Sequence, residues 1–198
     1  MKPLLIMILG LLYGAAMAET GYTDDLIIDD RSSTTLSSNL GTEWRLVTDQ
    51  VMGGISEGTL RLDTYKGQSC LRLQGEVSTE NNGGFIQMAL DLTTDKNFDA
   101  SSYSGIELKI AGNSEDYNIH LRTTDLWFPW QSYRAGFKTT SDWQSLFIPF
   151  AAFEPYRTGR TLNLERLKRI GFVAIGREMT SDLCIGKVWL KTSVPTEK

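Results

Sequence analysis

Apolar residues recur along this chain with a period of two. Ile106, Leu108 and Ile110 alternate with Glu107 and Lys109, and Tyr117, Ile119 and Leu121 alternate with Asn118, His120 and Arg122. Tyr133, Ala135 and Phe137 alternate with Arg134 and Gly136. Neighbouring side chains on a strand point to opposite faces, so each run predicts a strand with one buried face and one polar face. Trp143–Phe150, Ile170–Ile175 and Leu183–Leu190 add three more. Thr59–Asp63 and Ser69–Gly75 flank residues 64–68, whose Gly67 predicts a hairpin with a five-residue loop. Phe85–Leu90 and Ile170–Ile175 are apolar on both parities, which suits central strands whose second face is covered by a loop or an N-terminal segment. Helical periodicity is confined to Leu162–Arg169, where Asn163 can cap a single turn. Short strands in close succession without intervening helices predict an all-β sandwich or barrel.

The N-terminus carries an address. Lys2, the apolar run Leu4–Leu12 and the small-x-small triplet Ala16-Met17-Ala18 read as a cleaved secretory signal peptide over residues 1–18. A periplasmic or secreted location follows as the expectation. Residues 19–43 then form an N-terminal segment holding the first strand at Leu26-Ile27-Ile28, with 31–39 as a connection. The domain proper is expected over 44–191, with 192–198 as a tail.

Charge narrows the partners. With 20 basic and 24 acidic residues, net −4, the 198-residue chain lacks the positive field that draws phosphate backbones, so nucleic acid is not expected as a partner. The single histidine excludes any site that needs two histidine ligands. In an oxidising compartment the two cysteines, Cys70 and Cys184, either form a disulfide or serve as separate small apolar residues in strands.

Several segments are candidates for contact. Asp49–Ser56 contains Gly53-Gly54 and reads either as a tight turn or as a loop presenting backbone N–H groups to a ligand, with Asp49 and Ser56 as side-chain partners. Asn81-Asn82-Gly83-Gly84 reads as a turn. Trp127, Phe128 and Trp130 cluster in a non-periodic stretch, flanked by Arg122 and Tyr133. Such residues either stack on a sugar or anchor a protein, or else close the end of the sandwich. His120 lies on a face that is either exposed or the concave face of a sheet, and it reads as an ordinary polar surface residue. Glu107, Asp116, Asp125 and Glu154 lack a recognisable acid–base context, and Asp91, Asp95 and Asp99 read as acidic turns rather than a calcium loop. The basic group Arg157, Arg160, Arg166, Lys168 and Arg169 reads as a solvated loop or an anion-facing patch.

The run Trp44–Ser56 resembles the opening motif of the complex I intermediate-associated family, the 30-kilodalton assembly-factor domain. Residues 75–85, Tyr103–Leu108, Tyr117–Thr123, Trp143–Phe153, Ile170-Gly171-Phe172 and Val188-Trp189-Leu190 resemble its later motifs in the same order. The resemblance implies a jelly-roll β-sandwich of the galactose-binding-like kind. It also implies a protein that assists assembly of respiratory complex I without being an enzyme and without a cofactor. The partner implied is a membrane-complex assembly intermediate, met by an exported member from its outward face. Carbohydrate binding through Trp127 and Trp130 stands as the alternative.

Overall fold

The computed structural model describes residues 24–194. The proposed signal peptide and the end of the tail lie outside the described residues. Twelve strands follow one another: β1 (Leu26–Asp29), β2 (Trp44–Thr48), β3 (Glu57–Tyr65), β4 (Gln68–Val77), β5 (Phe85–Asp91), β6 (Gly105–Gly112), β7 (Asp116–Thr123), β8 (Ser132–Lys138), β9 (Gln144–Pro149), β10 (Glu154–Tyr156), β11 (Leu167–Ile175) and β12 (Met179–Lys191). They form two antiparallel six-stranded sheets. The first runs β3-β4-β12-β6-β9 with β1 on β12, and the second runs β10-β8-β7-β11-β5-β2. The fold is all-β, a jelly-roll β-sandwich.

The alternating residues do what their period requires. Ile106, Leu108 and Ile110 of β6 face Tyr117, Ile119 and Leu121 of β7 across one core, which also takes Met88, Phe172, Leu183 and Val188. The single turn Leu164–Arg166 is capped by the Asn163 side chain, which accepts from the Glu165 N–H.

Three expectations are corrected. The hairpin between β3 and β4 has a two-residue turn, not a five-residue loop. Lys66 and Gly67 both have positive φ (44° and 76°), the twist that continues into right-twisted strands. The N-terminal strand does not cover the second sheet. It extends the first sheet beside β12, and Ile28 enters the core, so the sandwich begins at Leu26 rather than at residue 44. The indole of Trp44 on β2 donates to Asp29 on β1 at 2.6 Å, and Asp29 is also ion-paired to the buried Arg31, so this contact links the two sheets. The outward face of the second sheet is instead closed around Ala89 and Val173 by the residues beside them in register, among them Gln87 and Asn118.

Cys70 of β4 and Cys184 of β12 are joined in a disulfide, with Cα atoms 5.4 Å apart. They pack with Ala111 under Tyr65 and Trp143, apart from the main core. Trp143 donates its indole N–H to the Tyr65 carbonyl, which closes this small cluster.

Candidate functional site

Three regions collect the residues singled out above. The first is the Asp49–Ser56 turn. β2 ends at Thr48, and a 3-10 turn (Asp49–Met52) is stopped by Gly53 in the left-handed conformation at φ 91°. Asp49 and Ser56 are fully buried. Asp49 accepts from the N–H groups of Ser56 (2.9 Å), Gly84 (2.5 Å) and Phe85 (3.2 Å) and from the Ser56 hydroxyl. Burial pushes its carboxyl pKa up, but those donors outweigh it and hold the group below the usual carboxylate value. A Cβ at Gly54 would lie 2.3 Å from Asp49 Cγ, and one at Gly83 would lie 2.5 Å from Asp49 Oδ2. The two glycine-rich segments, separate turns in the sequence reading, therefore wrap the same carboxylate. Asp49 and Ser56 are fully buried and bonded within the protein, so neither presents the side-chain ligand contact considered for it. The turn offers Val51, Met52 and Ile55 to solvent instead.

The second region is the loop between β7 and β8. Trp127 is 82% exposed, and Phe128 and Trp130 are about half exposed. Phe128 and Trp130 stack on each other, with ring centroids 4.9 Å apart and planes within 7°. The backbone beneath them is tied down. Arg122 Nη1 donates to the carbonyls of Phe128 (3.0 Å), Pro129 (2.8 Å) and Gln131 (2.6 Å). Gln131 Oε1 accepts the N–H groups of Trp127 and Phe128, and its amide donates to the Arg157 carbonyl. Arg122 is thus the anchor of the loop rather than its contact residue. Tyr133 is fully buried, with its hydroxyl donating to the Thr161 carbonyl, so its flanking role in contact is corrected to one in the core.

These two regions do not share a surface. Thr48 pairs with Ile86, which pairs with Ala174, at one end of the second sheet. Thr123 pairs with Leu167 at the other. The turn and the aromatic loop therefore sit at opposite ends of the sandwich.

The third region was not anticipated as a site. It is the outward face of the second sheet. Glu154, Arg134, His120, Gly171, Ala89 and Arg45 lie in one register row across all six strands. Next to it, Gly136 and Asn118 pair, and Asn118, Val173 and Gln87 continue the adjacent row. A groove of about 360 Å³ opens at the β10 side, lined by Asn118, Arg134, Gly136, Glu154 and Tyr156 among others. The Arg134 guanidinium lies 3.4 Å from the Tyr156 ring centroid, and its Nε donates to Ser132. His120 is not the ordinary surface residue expected. Its Nε2 is buried without a hydrogen-bond partner among the described residues, and burial, aided by the Arg134 charge, lowers its pKa to about 3, so the ring is neutral in ordinary conditions. The sequence signal for this face was the polar parity of β7 and β8. Tyr156 was missed because Glu154-Pro155-Tyr156 shows no alternation.

Several of the remaining candidates have partners. Asp91 binds Arg45 and Arg169, Asp125 binds Arg166, and Asp99 accepts from the Ser101 N–H. Part of the basic group is thereby neutralised. Among the described residues, no group of three or more His, Cys, Asp or Glu side chains is placed to hold a metal ion. A second cleft of about 660 Å³ lies between β2 and β3, lined by Leu46–Thr48, Gln50, Val51, Glu57 and Gly58.

The family model described as complex I intermediate-associated protein 30 matches residues 34–185. No curated protein sequence matches the chain. Among solved structures, a family 11 carbohydrate-binding module from Clostridium thermocellum, in complex with a beta-1,3-1,4-mixed-linked tetrasaccharide, is similar at TM-score 0.67 and 13% identity, over 86% of this chain and 96% of that one. A family 30 carbohydrate-binding module of a Clostridium thermocellum cellulosomal cellulase is similar at TM-score 0.60 and 19% identity, over 84% and 96%. At these identities the likeness is one of fold.

Proposed function

The chain belongs to the complex I intermediate-associated protein 30 family, and we propose that it is a non-catalytic binding module, exported from the cytoplasm, that engages a protein partner through its aromatic loop. The observation that carries this reading is the exposure of Trp127, Phe128 and Trp130 on a backbone held by Arg122 and Gln131. Exposed aromatics on a preordered loop bury large area at small entropic cost, the usual character of an interface anchor. The family membership supports a membrane-complex assembly intermediate as the partner, and the leader-like residues 1–18 support contact from its outward side. The test is a pull-down from detergent-solubilised membranes with bound proteins identified by mass spectrometry. Wild type should enrich respiratory membrane subunits, and Trp127→Ala and Trp130→Ala should not. Equal recovery by the variants would remove the loop as the contact.

A second reading, carbohydrate binding, is favoured by the outward face of the second sheet, where polar side chains lie without partners beside an aromatic ring. The carbohydrate-binding modules of similar fold support it. Its test is titration of the protein with soluble oligosaccharides.

A further inference from the structure

Elsewhere among the described residues, many charged side chains are paired with one another. Arg72 bridges Asp63 and Asp182, Asp91 bridges Arg45 and Arg169, Lys191 bridges Asp25 and Glu107, and Arg177 meets Glu115. The middle of the outward face is different. Asn118, His120, Gln87 and Glu154 make no side-chain hydrogen bond to the described residues, and the terminal nitrogens of Arg134 meet no carboxylate. Gln87 leans across to β11, its Oε1 lying 3.0 Å from where a Cβ on Gly171 would stand. Gly136 keeps the floor of the groove low beside Asn118. Uncommitted donors and acceptors on a rigid sheet are already positioned and need no reorganisation to meet a ligand.

We propose that the groove on this face, from Tyr156 through Arg134 and Gly136 to Asn118 and His120, is a binding trough for a neutral oligosaccharide. The inference rests on the second reading above and gives it a location other than the aromatic loop. Amide and imidazole groups both donate and accept, which suits hydroxyls that do the same; a phosphate or sulfate would call for donors alone. The Glu154 carboxylate stands opposite Arg134 in register, so the groove carries an acidic as well as a basic group. The Tyr156 ring, braced by Arg134 on one side, gives an apolar edge for a sugar ring. From β10 to β7 the groove crosses two strand spacings, about 10 Å at ~4.8 Å each, which suits an oligosaccharide rather than a single sugar.

The experiment titrates the purified protein with neutral tetrasaccharides derived from β-glucan, mannan and chitin, read by calorimetry and by backbone amide NMR shifts. Shifts concentrated at Asn118, Gly136 and Gly171, with affinity falling about tenfold in Asn118→Ala and Tyr156→Ala, support the trough. Gly136→Phe is the blocking variant. A Cβ at Gly136 has no neighbour nearer than 4.0 Å, so the fold tolerates the side chain while the groove is filled, and binding should be lost with an unchanged melting temperature. Binding that survives Gly136→Phe but disappears in Trp127→Ala would overturn the location and leave the carbohydrate reading standing. Failure of every tetrasaccharide to bind wild type would overturn both.

Discussion

The carboxylate of Asp49 and the backbone N–H of Gly84, 35 residues apart in the chain, meet at 2.5 Å inside the protein. Through this contact the end of β2 is pinned to the start of β5, and Ser56 at the start of β3 is held by the same group. Asp49→Asn would replace one acceptor oxygen by a donor aimed at backbone N–H groups. The expected loss is about 3 kcal/mol near neutral pH, the scale of charge-assisted bonds in a buried site. The sign of the pH dependence follows from the lowered pKa of Asp49. Its stabilisation is fully present above the unfolded value of 3.8 and is lost as pH falls through the lower folded value. Denaturant titrations should therefore show the gap between wild type and variant closing only in strong acid. A gap that stayed constant across that range would show that the charge of Asp49 is not what matters.

The same carboxylate sets the demand for glycine at position 54. A methyl group there would overlap Asp49 Cγ at 2.3 Å, whereas at Gly136 it would meet only the Tyr117 carbonyl, at 4.0 Å. Gly54→Ala is expected to destabilise by about 3 kcal/mol, the upper range for overpacking. Gly136→Ala should stay within about 0.5 kcal/mol of wild type, as surface changes do. Equal melting temperatures for the two variants would contradict the packing seen around Asp49.

What was legible in the sequence was whatever depends on neighbours in the chain. Ile106, Leu108 and Ile110 alternate because one face of β6 is buried, and Asn163 caps a turn two residues away. The Asp49 centre could not be read in the same way, because its donors come from segments whose proximity exists only after folding. Gly53-Gly54 and Gly83-Gly84 were visible as flexible positions, but nothing local shows that they enclose one group. His120 follows the same logic: polar by parity, it stands between Arg134 and Gly171 of the neighbouring strands with its Nε2 buried. β10 carries no sequence signal because Pro155 interrupts it and it has no core face, which suits a short edge strand. The loop aromatics are legible as exposed candidates, whereas the anchoring role of Arg122 depends on carbonyls that only the fold brings to it.

The disulfide joins strands that are already paired, so its main effect is on the unfolded chain. Closing a span of 114 residues removes enough chain entropy to contribute about 4 to 5 kcal/mol. The double variant Cys70→Ala with Cys184→Ala should fold to the same sandwich and unfold at correspondingly lower denaturant concentration. Wild type in excess reductant should shift toward the variant once unfolded chains are reduced. If the midpoint of the double variant matched that of the oxidised wild type, the cross-link would have no thermodynamic role.

Anchoring and contact are separable in the aromatic loop, and the separation can be measured. Arg122 spends one nitrogen on three carbonyls, so Arg122→Ala frees the backbone over 128–131 while leaving Trp127, Phe128 and Trp130 in place. Trp127, at 82% exposure, supports nothing beneath it. Limited proteolysis should therefore cut Arg122→Ala within residues 124–131 at least about tenfold faster than wild type, since opening that loop no longer breaks charge-assisted bonds. Trp127→Ala should be cut at the wild-type rate and melt within about 0.5 kcal/mol of wild type. Partner capture should fall in both variants for different reasons: in one the contact residue is gone, and in the other it remains but is no longer held. Unchanged proteolysis in Arg122→Ala would mean that Gln131 alone orders the loop, and the anchoring role assigned to Arg122 would then be wrong.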